Sequence, residues 1–285
     1  MITRYYQFAG LNLAVSMPED MIFEKGIRLA AFRTTQSEAD IFCSFERVEE
    51  LLPPEGKLIY SGNFQRIYSA DDRRIRYVET KQDEQKTDMT RIETCGNHVL
   101  VQLRKDCFPG RLSAKYMLEF IGIEHLIARN DGVIFHCSFV DHNGKAILFT
   151  APSETGKSTQ AELWRKLRGA ETVNGDRAAV RLTDGKLMAE GIPFAGSSAY
   201  CENRSMPIET IVYLGQAPVT SIRKLRGYEA FSKIWEGVSV NTWDKEDMER
   251  VSRVVQKAAT DIPVYHMPCT PDESAVAALE EVLRK

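Results

Sequence analysis

The sequence predicts a mixed-sheet α/β domain preceded by a smaller, β-rich N-terminal domain. Three observations carry this. Residues 146–163 run as apolar strand, loop and helix; strands and helices alternate from residue 111 onwards; and the segments before residue 110 are rich in β-branched and aromatic residues. The 285 residues leave room for one or two domains. A content of 43% hydrophobic and 27% charged residues is that of an ordinary globular chain. The 37 Lys+Arg against 40 Asp+Glu leave a net charge of -3, which excludes a chain that coats nucleic acid and a long acidic disordered one.

No apolar run is long enough to span a bilayer, so no membrane partner is expected. The opening MITRYYQFAGLNLAV lacks the pattern of a secretion signal, and a cytoplasmic location is the expectation. Cys43, Cys95, Cys107, Cys137, Cys201 and Cys269 form no C-x-x-C pair. They read as reduced thiols rather than as zinc ligands.

In chain order, strands are expected at 57–61, 66–69, 74–79 and 98–103. Residues 69–74 read as a turn, and 81–88, KQDEQKTD, as a solvated loop. Pro109-Gly110 breaks the pattern and divides a 1–110 domain from a 111–285 domain. Residues 112–129 then read as one amphipathic helix capped by Ser113. An apolar run at 132–140, a turn at 141–145 and a strand at 146–150 lead to a helix at 157–167. Asp184-Gly185 between 178–182 and 186–190 signals a tight hairpin. A strand at 209–214 and helices at 228–236 and 244–259 follow. The last helix is expected to start with Thr270 as N-cap, Pro271 in first position and Glu273 closing a capping box. Trp164, Trp235 and Trp243 read as core.

The loop Ala151-Pro152-Ser153-Glu154-Thr155-Gly156-Lys157-Ser158 has the Walker A pattern with Ala in place of the first Gly. A phosphate chain concentrates negative charge, so its cradle needs converging backbone N–H groups and the positive end of a helix. Gly156 admits the phosphates without a Cβ, Lys157 reaches them, and the Ser158 hydroxyl suits Mg²⁺. Thr159 adds a hydroxyl. Ala151 is expected to take a backbone angle that Gly adopts more easily.

Downstream, Val173-Asn174-Gly175-Asp176-Arg177 follows the helix after a short loop, and Asp176 is the candidate acid at the end of the next strand. Alone, Asn174-Gly175-Asp176 is a tight turn. Behind a phosphate loop, the same Asp suits a metal or the proton of an attacking hydroxyl. His136, in the apolar stretch GVIFHCSFV, reads on its own as a core residue.

His136, fifteen residues before Ala151, with the stretch HCSFVDHNGKAILFTAPSETGKS and then Asp176, resembles the HPr kinase/phosphorylase family. That family shares its nucleotide-binding fold with phosphoenolpyruvate carboxykinase. Val140, Asp141 and Gly144 belong to the likeness, which covers about 130–195. It implies a P-loop kinase domain, ATP or GTP with magnesium, Asp176 as proton acceptor and His136 as an active-site residue orienting Asp176 or the phosphates. It implies Glu190 as a metal ligand beside Ser158 and Asp176, and a homo-oligomer. The Gly- and Ser-rich residues 191–198 read either as the lining of an acceptor channel or as an ordinary loop, and Arg204 reads more as an ordinary arginine than as a partner of the transferred phosphate. The chain departs from the family at Gly175, where an acid is usual, and lacks a recognisable phosphorylase region. It looks more like the divergent members, some of which act on serine in peptides such as lasso-peptide precursors.

The expected activity is therefore Mg²⁺-dependent transfer of a γ-phosphate to a serine-like hydroxyl of a peptide, protein or small molecule. The alternative is a non-catalytic, nucleotide-gated module that binds a peptide or protein. The set His136, Lys157, Ser158 and Asp176 speaks against it, and Gly175 in its favour. For a carboxykinase-type enzyme the chain is short and lacks a clear second set of metal ligands.

Overall fold

In the computed structural model, which describes residues 1–21, 29–82, 85–110, 112–196, 198 and 200–284, the chain has an α/β fold built on two sheets. It divides into two compact units, Met1–Ile123 and Glu124–Lys285.

The N-terminal unit carries β1 (Ile2–Phe8), β2 (Leu11–Met17), β3 (Arg33–Thr34), β4 (Ile41–Val48), β5 (Lys57–Ser61), β6 (Gln65–Ala70), β7 (Arg73–Gln82), β8 (Gln85–Cys95) and β9 (His98–Arg104). They form one sheet in the order β3-β1-β2-β4-β9-β8-β7-β6-β5. Leu13, Val15, Phe45, Val101 and Leu103 are buried, as the alternation of apolar residues on these strands requires. The expected loop at 81–88 is instead hairpin. β7 and β8 continue through Lys81↔Lys86 and Gln82↔Gln85, with 83–84 outside the described residues. Backbone pairing overrides the charge density of this segment.

The helix expected at 112–129 is two helices, α1 (Ala114–Ile121) and α2 (Ile123–Arg129). Ser113 caps α1, accepting from Tyr116 N at 3.3 Å. Gly122, at φ 71°, ends it in a left-handed turn that a side chain would strain. α1 belongs with the N-terminal sheet: Arg76 donates to Glu119 O and Phe120 O, both at 2.7 Å.

The C-terminal unit carries β10 (Gly132–His136), β11 (Ser138–His142), β12 (Lys145–Thr150), α3 (Lys157–Arg168), β13 (Glu171–Asn174), β14 (Arg177–Thr183), β15 (Lys186–Gly191) and β16 (Ser205–Gln216). Then follow β17 (Arg223–Leu225), α4 (Gly227–Trp235), β18 (Val238–Ser239), α5 (Lys245–Asp261), β19 (Val264–Cys269) and α6 (Glu273–Leu283). The sheet order is β13-β11-β12-β16-β15-β14-β10-β18, with β19 on β16 and β17 on β19. The apolar run at 132–140 splits at Cys137: β10 pairs with β14 and β11 with β12 and β13. The Asp184-Gly185 hairpin forms as expected, with both φ positive at 49° and 79°. The last helix starts later than expected. Asp272, not Thr270, is its N-cap and accepts from Ser274 N at 2.9 Å.

β12 lies inside this sheet, parallel to β16. It is covered on both faces, which is why its sequence is continuously apolar. Ile147 and Phe149 pack with Trp164, Val276 and Leu279, from α3 and α6; Ala146 and Leu148 join Ile234, Val251 and Val255, from α4 and α5. This clamped strand delivers the phosphate loop.

Candidate functional site

The loop leaves β12 at Thr150, whose hydroxyl donates to His136 O at 3.0 Å, tying the end of β10 to the start of the loop. Glu154 and Gly156 carry the left-handed angles, φ 63° and 115°. Ala151 does not, so the expected strain at the first loop position is absent: the turn is made further along. The space over Gly156 is open where a Cβ would stand. Helix α3 begins at Lys157 with no side-chain cap, so its first N–H groups face the loop. The Lys157 side chain is buried, and its ammonium donates to Ala151 O at 2.9 Å and Pro152 O at 3.2 Å. Burial pushes its pKa below the ordinary lysine value.

Asp176 is presented by a local device. Asn174, fully buried at the end of β13, accepts from Asp176 N at 2.9 Å and Arg177 N at 3.0 Å with its side-chain oxygen. Its amide nitrogen donates to Ile192 O at 2.9 Å and Phe194 O at 2.7 Å. The segment is thus both an Asx turn and the mount of the candidate acid. His136 Nε2 stands 3.4 Å from one Asp176 oxygen and Arg177 Nε 3.3 Å from the other. The His136 contact, then the charges of Arg177 and Lys157, hold the Asp176 carboxyl below its ordinary pKa although burial opposes this.

His136, Ser153, Glu154, Lys157, Ser158, Gly175 and Asp176 line one cavity of about 460 Å³, with Ala195 and Ser198 from the 191–198 segment. Residue 197 of that segment lies outside the described residues. On the other side of the loop, Glu154, Thr155, Gly156, Thr159 and Gln160 line a second cavity of about 640 Å³ with Gln216 and Pro271. The loop, the His and the Asp are therefore brought together.

Glu190 is not brought to them. It is buried on β15, held by Arg181 through two contacts of 3.0 Å and by Ser205 Oγ at 3.3 Å, and does not line the cavity. Its carboxylate is committed to that pairing, so the expected third metal ligand is withdrawn. Arg204 is likewise engaged elsewhere, with Asp141, and with Glu171 at 2.6 Å. Cys137, beside His136, is fully buried, and burial pushes its thiol far above the ordinary value, which excludes a thiolate nucleophile.

Asn174 reads from sequence only as part of a tight turn, and Arg177 is given no role there. Asn174 had a signal, since Asn two residues before a functional acid is an Asx-turn pattern. Arg177 had none, because its contact follows from the geometry of that turn.

The fold and the cavity define an α/β protein with a strand–loop–helix cradle facing a charged Asp. No protein-family model matches the chain, and no curated protein matches it. Solved structures do. One is the "Structure of the Hpr(Ser) kinase/phosphatase from Coxiella burnetii", 12% identical, covering 53% of this chain and 88% of that chain, with a TM-score of 0.33. That likeness concerns the fold alone.

Proposed function

We propose that this chain is a Mg²⁺-dependent phosphotransferase that moves the γ-phosphate of ATP or GTP to a serine-like hydroxyl of a peptide, protein or small molecule. The observation that carries the reading is that Lys157 and Ser158, at the start of a helix, line one cavity with the charged carboxylate of Asp176. The donor set fits the groups it would hold. The uncapped N-terminus of α3 and the Lys157 ammonium suit phosphate, while the Ser158 hydroxyl and the Asp176 carboxylate suit a hard divalent cation. When bound, magnesium would neutralise charge on the phosphate oxygens.

The chain's own residues do the rest. Lys157 exchanges its loop carbonyls for phosphate oxygens. Asp176 takes the proton of the acceptor hydroxyl, and His136 and Arg177 keep it charged and aimed. The cavity beyond Thr159 has room for the nucleoside. The N-terminal unit is the part we assign to acceptor recognition.

The test is incubation with labelled ATP, Mg²⁺ and a cell extract, followed by mass spectrometry of what gains phosphate. Asp176→Asn should lower transfer by about 10²–10⁴-fold while nucleotide binding persists. A protein that binds ATP yet phosphorylates nothing would point to the non-catalytic binding module instead.

A further inference from the structure

We infer that this chain phosphorylates itself on Ser198, an inference that rests on the phosphotransferase reading above. Four serines line the cavity: Ser138, Ser153, Ser158 and Ser198. Ser138 is fully buried and donates to Gly175 O at 3.3 Å. Ser153 and Ser158 belong to the loop and helix start that wrap the phosphates. Ser198 lies between β15 and β16 in sequence and lines the cavity with Asp176.

Two close approaches set its position. Ser198 N donates to Ala195 O at 2.8 Å. Gly196 lies so close to Asp176 that a Cβ there would stand 2.8 Å from the carboxylate carbon. The Ser198 hydroxyl fills the space that a side chain at 175 would need: a Cβ on Gly175 would stand 2.1 Å from Ser198 Oγ. Tyr200 N donates to this oxygen at 3.1 Å, which fixes where it sits. A serine hydroxyl is thus held against the residue adjoining the candidate base, inside the cavity that holds Lys157. Gly175 and Gly196 are what make the approach sterically allowed.

In the step, Ser198 Oγ bonds to the γ-phosphorus of ATP, and the bond from that phosphorus to the bridging oxygen breaks. The hydroxyl proton passes to the Asp176 carboxylate, and ADP leaves with the bridging oxygen. The product places a phosphate of about −1.5 to −2 charge beside Asp176, where it repels an incoming nucleotide. The modification is therefore self-limiting.

The test uses the full chain with Mg²⁺ and ATP and no added acceptor. Intact mass should rise by one phosphoryl group, and fragmentation should place it on Ser198, at a rate independent of protein concentration. Ser198→Ala should abolish the gain, and Ser198→Thr should restore it on the threonine. Ser198→Asp should weaken binding of a non-hydrolysable ATP analogue by about tenfold or more. A wild-type chain that phosphorylates an added acceptor while Ser198 stays unmodified would overturn the inference alone. So would phosphate on another residue, or analogue binding to Ser198→Asp as tight as to wild type. A wild-type chain that binds no nucleotide would bring down the functional reading first, and this inference with it.

Discussion

At the scale of single residues, the site turns on how Asp176 is held. Its carboxyl titrates below the ordinary value because His136 and Arg177 each face one of its oxygens. The sign follows. A carboxyl with a lowered folded pKa contributes stability above the unfolded value of about 3.9, and that stability is lost as pH falls through the folded pKa. Replacing His136 with Gln removes the imidazole contact that lowers it most, so the Asp176 pKa should rise and the acidic limb of the pH–rate profile should move to higher pH. Titration of the Asp176 carboxyl carbon by NMR reads the same shift without turnover; an unmoved pKa would refute the coupling. Asn174→Ala should cost about 3 kcal/mol in urea unfolding, because the buried carbonyls of Ile192 and Phe194 and the part-buried amides of Asp176 and Arg177 lose hydrogen bonds together. A loss within about 0.5 kcal/mol, the usual range for a surface change, would show that the Asx turn stands without it. Lys157 stood out because it lies in a contiguous motif, whereas His136 and Asp176, which alone read as core and turn, were singled out through the phosphate loop and the family resemblance; the structure brings all three to one cavity. The place of Glu190 was not legible, because its neighbour depends on strand register: with Ala179 opposite Glu190, Arg181 sits diagonally beside it on the same face.

At the scale of elements, the sequence was most legible where the chain marks its own ends. Asp184-Gly185 and the Ser113 cap are local signals, and both elements form where they indicate. The apolar spacing across 112–129 misled, because the periodicity continues through Gly122 although the backbone does not. Gly122→Ala tests this directly. A side chain at φ 71° should lower the denaturation free energy by about 1 kcal/mol, read from the urea midpoint. A stabilised variant would mean that the helix runs on through this position. The pairing at 81–82 and 85–88 was illegible for another reason: charge density alone suits a loop, and only the backbone pairing of β7 with β8 decides.

At the scale of the whole molecule, composition allowed two domains and the alternation assigned the second. The order of the N-terminal sheet could not be read, since parallel pairs such as β2–β4 and β4–β9 join strands distant in sequence. A ligand that binds only the folded state stabilises by mass action, by about 2.7 kcal/mol at a hundred times its Kd. A non-hydrolysable ATP analogue with Mg²⁺ should therefore raise the melting temperature of the full chain, and Lys157→Ala should cancel the rise. In hydrogen exchange, the gain in protection should fall on 146–163 and 174–177, the segments that carry the loop and the Asp mount. The N-terminal unit, Met1–Ile123, should respond only when a phosphorylatable acceptor is added, if acceptor recognition lies there as proposed. Protection spreading over Met1–Ile123 with nucleotide alone would make this unit part of the nucleotide response, and acceptor reading would then have to be sought around Ser198.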